Sequence, residues 1–447
     1  MQTEAEWSKA MKNKVLSMFD YFLILVIAIL VTMGVMFIYS SSINSEGLSV
    51  TNEYKKQIIW AVIGLVFLII MTLYDYRRLE NISPWFYIGL ILVLIYTRIF
   101  GRLVNGARSW IGIGEFGIQP SEFGKIFFIL FLARYLDNSK NENQLKRFLI
   151  AMGIMMLPMG LILIQPDMGT ASVYIPIFLF MCFIADIPIR YILYVLAFGM
   201  LTIIFAILPV WNSEIAEHPY SIITILTNTK FRVILIFTTS FIASVSLILR
   251  RYFHFPRYMI WIAYGFSIIA ISLIGSLAFS KVLKYYQIKR LIVFLNPYKD
   301  PLGSGWNIIQ SKIAIGAGGP VGQGFLNGTQ SHYRFLPQQS TDFIFSILSE
   351  EFGFFGGCVV FTLYLGIFIR ILMIIRQCPN RFGTYIAAGI FGMITFHFFI
   401  NVGMVMGIMP ITGIPLLFLS YGGSSLLTVM TCMGMLMSIN YRKKDLY

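Results

Sequence analysis

This sequence predicts an all-α, polytopic transmembrane helical bundle of about twelve spans, and three observations carry that prediction. Hydrophobic residues make up 57% of the 447 and charged residues only 12%, a balance that no single water-soluble core accommodates, because a globular helix needs a polar face. The apolar residues come in runs of about 17 to 25, the length that crosses roughly 30 Å of hydrocarbon. Between the runs, lysine and arginine are distributed as a sidedness signal.

The first run, "YFLILVIAILVTMGVMFIY" (21–39), exceeds the apolar region of a cleaved signal and reads as a retained signal-anchor with nothing soluble ahead of it. With that span placed near 19–40, eleven more follow near 57–74, 84–100, 122–136, 147–164, 169–185, 190–210, 233–249, 258–280, 343–376, 383–406 and 413–438. If Lys9, Lys12 and Lys14 are inside, the inside turns collect Arg77 and Arg78, then Arg134, Lys140, Lys146 and Arg147, then Arg190. They continue with Arg250, Arg251 and Arg257, with Arg370, Arg376 and Arg381, and with the tail cations Arg442, Lys443 and Lys444. Both termini are therefore expected on the cytoplasmic side of the inner (cytoplasmic) membrane. The net charge of +14 is topogenic and implies no nucleic-acid partner. Cys182, Cys358, Cys378 and Cys432 lie in apolar spans or beside a short basic loop, without metal-like or disulfide-like spacing, and read as free thiols.

Cations also occur outside: Lys55 and Lys56, then Arg98, Arg102 and Arg108, and then the long loop 281–342 with Lys281, Lys284, Lys289, Arg290, Lys299, Lys312 and Arg334. Long translocated loops are exempt from the positive-inside rule, so these charges are either merely solvated or gathered to attract an anionic substrate. The same loop contains "IGAGGPVGQGFLNGTQ" (315–330). It is neither a Walker loop nor a dinucleotide fingerprint. Its glycines serve close backbone approach, either to phosphate or as a structural cap on the bundle.

Four stretches, in order, carry a resemblance: "NGARSWIGIGEFGIQPSEFGK" (105–125), "QPDMGTA" (165–171), the segment from "PLGSGWNIIQSKIAIGAGG" to "FLPQQSTDFIFSILSEEFGF" (301–354), and "NVGMVMGIMPITGIPLLFLSYGGSS" (401–425). Together they resemble the SEDS family of integral-membrane peptidoglycan polymerases, and the wording around "LNGTQS" and "FLP" is more similar to the elongation branch than to the division branch. The resemblance implies glycosyl transfer on lipid II at the outer face of the membrane, with growth of a β-1,4 glycan and release of undecaprenyl pyrophosphate. It implies a class B penicillin-binding protein transpeptidase as partner, since the sequence holds no transpeptidase motif, and further elongation-complex membrane proteins and membrane lipid around it. The family fold has ten spans. Residues 211–280 therefore read as an inserted transmembrane hairpin within a single membrane domain over 1–447, and 281–342 as its large extracytoplasmic loop.

Asp342 matches the family's essential aspartate, which suits a general base that takes the proton of the acceptor sugar's 4-hydroxyl. The competing reading is a helix N-cap for the span that follows. Gln338 and Ser340 stand where the family commonly has Glu and His, which removes an ionisable companion of Asp342. No metal-ligand spacing is present, and the resemblance leaves room for a divalent cation as the one cofactor. Arg108, Trp110, Glu122 and Lys125 match the second family pattern and, with Lys312, form the implied substrate-binding set. Glu122 and Lys125, three apart, either neutralise each other on one helix face or leave Lys125 for pyrophosphate. Asp167 is expected to cap a helix, and His397, on an apolar span, to be a hydrogen-bonded packing residue. The rival functions are a lipid II flippase, for which ionisable groups near mid-membrane are expected, the division-type polymerase, and a non-enzymatic scaffold.

Overall fold

The structure, a computed structural model, describes residues 18–104, 107–113, 116–214, 220, 223, 228–282, 290, 293–303 and 305–443. Lys9, Lys12, Lys14, Lys284, Lys289 and Lys444 lie outside them, as do 215–219, 221–222 and 224–227 of the expected inserted hairpin. Each expected span contains a helix: α1 Tyr21–Ser41, α2 Glu53–Leu73, α3 Arg78–Phe100, α4 Pro120–Asn138, α5 Gln144–Ile164, α6 Met168–Ile184, α7 Ile189–Glu214, α8 Thr229–Tyr252 and α9 Tyr258–Val282. Shorter helices α10 Trp306–Gly318 and α11 Thr329–His332 follow, and then the long α12 Ile344–Gln377, α13 Arg381–Val405 and α14 Gly423–Arg442. Among the described residues, 10 helices are long and apolar enough to cross a membrane. The two further expected spans are α4, which carries Glu122, Lys125, Arg134 and Asp137, and α6, which has 17 residues.

Two compact units divide the chain, Met1–Ile187 with Gln310–Tyr447, and Pro188–Ile309. In the second unit α9 packs on both α8 and α7, with Tyr194 donating to Ser267 Oγ at 3.2 Å and Arg232 donating to the Phe205 carbonyl at 2.9 Å. In the first unit α13 and α14 are buried on nearly all sides, as helices apolar all round must be. Around them α2 packs on α14, α6 on α13 and α1 on α12. At the far end of α4 from Glu122, the buried Arg147 closes helix ends by donating to the carbonyls of Leu136 (2.5 Å) and Ala185 (2.8 Å).

Two local features differ from the sequence expectation. A small antiparallel sheet in the order β1-β2-β3, made of Arg102–Val104, Ala107–Ile113 and Phe116–Ile118, precedes α4 in the segment between spans for which no strand was expected. Its register pairs Leu103 with Arg108 and Ile111 with Ile118, and Trp110, Ile111 and Ile113 supply the β-formers of β2. The last span, expected over 413–438, becomes helical only at Gly423. Pro410 and Pro415 lack donors and disfavour helical geometry in the residue before each, and Gly413 adopts a φ of 72°. The 407–422 backbone is therefore irregular apart from short turns, and its polar groups are satisfied by side chains from the helices around it.

Candidate active site at the outer helix ends

β3 runs into α4 through Gln119, whose extended backbone and following Pro120 set the first helical turn. That turn places Glu122 and Lys125 on one face, and both are buried, the lysine completely. Lys125 Nζ lies 2.8 Å from Glu122 Oε2 and 3.2 Å from His397 Nε2. The other ring nitrogen, His397 Nδ1, lies 2.9 Å from the Pro415 carbonyl. A buried ion pair survives desolvation only where further hydrogen bonds complete it, and the imidazole supplies that completion. The geometry favours the neutral-pair reading of Glu122 and Lys125, since the ammonium is enclosed and already shared between two partners. His397 is hydrogen-bonded as expected, but to this pair as well as to a loop.

The irregular 407–422 segment is held from several directions. Asn401 donates through Nδ2 to the Ile414 carbonyl at 2.8 Å, and Tyr364 donates its hydroxyl to the Leu417 carbonyl. The buried Gln57 bridges the Ser420 carbonyl (3.2 Å) and the Gly422 N–H (3.3 Å). Non-helical backbone in a helical bundle is tolerated where protein satisfies it in this way.

Asp342 stands at the mouth of α12. A tight turn precedes it, in which the Asp342 and Phe343 N–H groups both point at the Gln338 carbonyl, at 3.2 and 3.4 Å, and Gln338 takes a φ of 55°. Phe343 occupies the N-cap position, so the aspartate lies one residue ahead of the place where the capping reading puts it. The Asp342 carbonyl accepts from Asn401 Nδ2 at 2.9 Å, and the Ser340 carbonyl accepts from the Tyr421 N–H at 2.8 Å. Asp342 Oδ2 lies 3.5 Å from the point that a Cβ on Gly413 would occupy, so the carboxylate faces the irregular loop.

The remaining predicted residues fall into two groups. Arg108 and Trp110 both lie on β2, on either side of an irregularity in its pairing with β1, where Leu103 opposes Arg108 and Arg102 opposes Trp110; Arg108 is exposed and the Trp110 ring lies over Gly117. Lys312 is exposed on α10, which is fixed beside α12 because Ser311 Oγ lies 2.8 Å from Ser346 Oγ and donates to the Val405 carbonyl at 2.6 Å. Asp167 caps α6 as expected, accepting from the Thr170 N–H at 3.0 Å, the Thr170 hydroxyl at 2.8 Å and Gln119 Nε2 at 2.6 Å.

The glycine-rich stretch resolves as close packing of backbone on backbone. It crosses α12 at Gly353, where the helix is interrupted with φ 62°. The Gln323 and Gly324 N–H groups donate to the Glu350 and Glu351 carbonyls, both at 3.0 Å, and the Phe354 N–H donates to the Gly319 carbonyl at 2.9 Å. A Cβ on Gly322 would stand 2.1 Å from the Glu351 carbonyl oxygen. These N–H groups are therefore committed to α12, and the structural-cap alternative accounts for the glycines.

Sequence reasoning passed over two groups of residues. Glu350 is fully buried and accepts from the N–H groups of Gln330 (2.8 Å) and Ser331 (3.4 Å), capping α11 from outside; its neighbour Glu351 accepts from the Ser40 hydroxyl. The other is Asn401, whose spacing of four from His397 on an apolar helix was the available signal.

The model of the FtsW, RodA and SpoVE family, described as "Cell cycle protein", matches residues 20–230 and 259–445. The chain is 53% identical over 439 residues to the peptidoglycan glycosyltransferase RodA of Treponema pallidum, covering 97% of this chain and 100% of that protein. It is 31% identical to the stage V sporulation protein E of Bacillus subtilis, over 94% of this chain and 96% of that one. Among solved structures, a chain of a peptidoglycan synthase complex superposes with a TM-score of 0.65 at 23% identity, covering 96% of this chain and 98% of that one. Thermus thermophilus RodA superposes with a TM-score of 0.58 at 20% identity and the same coverage. Those two likenesses bear on the fold.

Proposed function

The chain belongs to the FtsW, RodA and SpoVE family, and from that premise we propose that it is a peptidoglycan glycosyltransferase that polymerises lipid II into β-1,4 glycan strands during cell elongation. The observation that carries the reading is the Asp342 carboxylate, turned toward the 407–422 loop at a helix mouth whose backbone is pinned through Asn401. The acceptor's 4-hydroxyl is a poor nucleophile. A carboxylate in hydrogen-bond reach takes its proton as the oxygen attacks C1 of the donor; the C1–oxygen bond breaks, and undecaprenyl pyrophosphate leaves with the electron pair. Inversion of the α-linked donor gives the β product. Arg108 and Lys312, both exposed, supply charge for the pyrophosphate, and Trp110 offers an aromatic face to sugar or lipid. Lys125 acts from behind them, through its ion pair with Glu122. Among the described residues no group of three or more His, Cys, Asp or Glu side chains converges to hold a metal ion, and no step here passes through one.

The setting is the cytoplasmic membrane, with both termini inside and 281–342 outside. The distribution of lysine and arginine supports this. In a cysteine-free background, Val321→Cys is expected to react with an impermeant reagent in intact cells and His254→Cys only after lysis. A class B penicillin-binding protein is the partner that would crosslink the product. The buried Glu122, Lys125 and His397 favour one rival, lipid II transport, because ionisable groups inside a bundle commonly mark a translocation path. Purified protein given lipid II separates the two: glycan ladders on a gel support polymerisation, whereas movement of labelled lipid II across vesicles without polymer supports transport.

A further inference from the structure

His397 and Asn401 sit one turn apart on α13, both buried. The Pro415 carbonyl can only accept, so the proton facing it belongs to His397 Nδ1. Nε2 is then the acceptor, and Lys125, with three protons on its ammonium, donates to it while also donating to Glu122. Asn401 spends both Nδ2 protons, one on the Ile414 carbonyl and one on the Asp342 carbonyl. Two side chains of one helix face thus hold consecutive carbonyls, those of residues 414 and 415, in a segment that has no helical bonds of its own there. Gly413, next in line, is the residue that the Asp342 carboxylate faces.

We propose that His397 is a positioning residue for the Asp342 carboxylate: anchored by Lys125, it fixes the 413–415 segment against the mouth of α12, and Asn401 ties that segment to the Asp342 backbone. The inference rests on Asp342 being the base. A carboxylate must stand within hydrogen-bond reach of the acceptor hydroxyl, and a displacement of about 1 Å from a distant substitution costs on the order of a hundredfold in rate. What the site requires at 397 is one acceptor and one donor on opposite edges of a side chain of fixed reach. A glutamine amide meets that requirement; an asparagine, one methylene shorter, does not span both partners; a leucine offers neither.

The test uses the full chain in proteoliposomes with lipid II, measuring initial polymerisation rates across lipid II concentrations for His397→Gln, His397→Asn and His397→Leu, with thermal melting of each. The expected result is that Gln stays within about threefold of wild type, while Asn and Leu lower kcat by about ten- to a hundredfold with KM for lipid II nearly unchanged. The two amides are equally polar, so their difference survives even if Leu fails to fold. Equal rates for Asn and Gln, a loss confined to KM, or losses that follow the melting temperature would overturn the proposal. Asp342→Asn runs alongside. If it polymerises at the wild-type rate, the base assignment itself falls; if it is inactive while His397→Asn keeps wild-type kcat, only the positioning role falls.

Discussion

Asp167 and Asp342 each precede a helix at the start of a span, and by local sequence both qualify as caps. Only one fills that position. Asp167 directs its carboxylate into its own helix, with two hydrogen bonds from Thr170, and to Gln119, with a third that ties α6 to the entrance of α4. Asp342 stands one residue too early, with Phe343 in the capping position, and its carboxylate faces Gly413 in another segment. A structural aspartate turns back into its helix. Asp342 is tied through its backbone carbonyl to Asn401, and its carboxylate faces Gly413 of the loop.

Substitution at the two positions should separate function from stability. Asp342→Ala is expected to lower polymerisation by at least about a hundredfold, the scale of general-base catalysis, with a melting temperature near wild type; Asp167→Ala should do the reverse. A loss of melting temperature at Asp342 as large as that at Asp167 would erase the distinction.

Next in size is the buried pair. Lys125→Gln leaves Glu122 enclosed and unpaired, a change that typically costs about 3–5 kcal/mol, so the single variant should melt early. The double variant Glu122→Gln with Lys125→Gln should recover most of that stability while polymerisation stays below wild type, because His397 has lost its ammonium anchor. Full recovery of rate would confine Lys125 to neutralising Glu122.

Smaller effects belong to the exposed cations and the cap. Arg108→Gln and Lys312→Gln each remove one charge-assisted contact of about 1.5–3 kcal/mol if they meet pyrophosphate, seen as about a ten- to hundredfold loss in kcat/KM for lipid II without a change in melting. Asp167→Ala should cost about 0.5–2 kcal/mol, and Asp167→Asn distinctly less. Unaltered melting of Asp167→Ala would show that the three hydrogen bonds contribute nothing net.

The helices were legible because hydrophobic run length depends on the bilayer and on little else. Asp167 was legible for the same local reason: its cap closes within three residues. Residues 413–422 of the irregular segment were absorbed into a span because they are as apolar as the helix after them; Pro410, Gly413 and Pro415 marked the break. The short sheet over 102–118 was masked by its glycines. His397 showed itself as a lone polar group, but its partner Lys125 is 272 residues away, and no local pattern encodes that contact. The glycine-rich loop left two readings open because close approach to phosphate and close approach to a kinked helix ask the same of a residue without a Cβ.

The central claim is that the Asp342 carboxylate does chemistry and is not there to hold the helix. Asparagine keeps the shape and the capping capacity of aspartate but cannot accept a proton at neutral pH. The most direct measurement is therefore polymerisation of lipid II by purified Asp342→Asn protein whose melting temperature matches wild type. The account predicts no glycan product above background, and glycan ladders formed at the wild-type rate would contradict it.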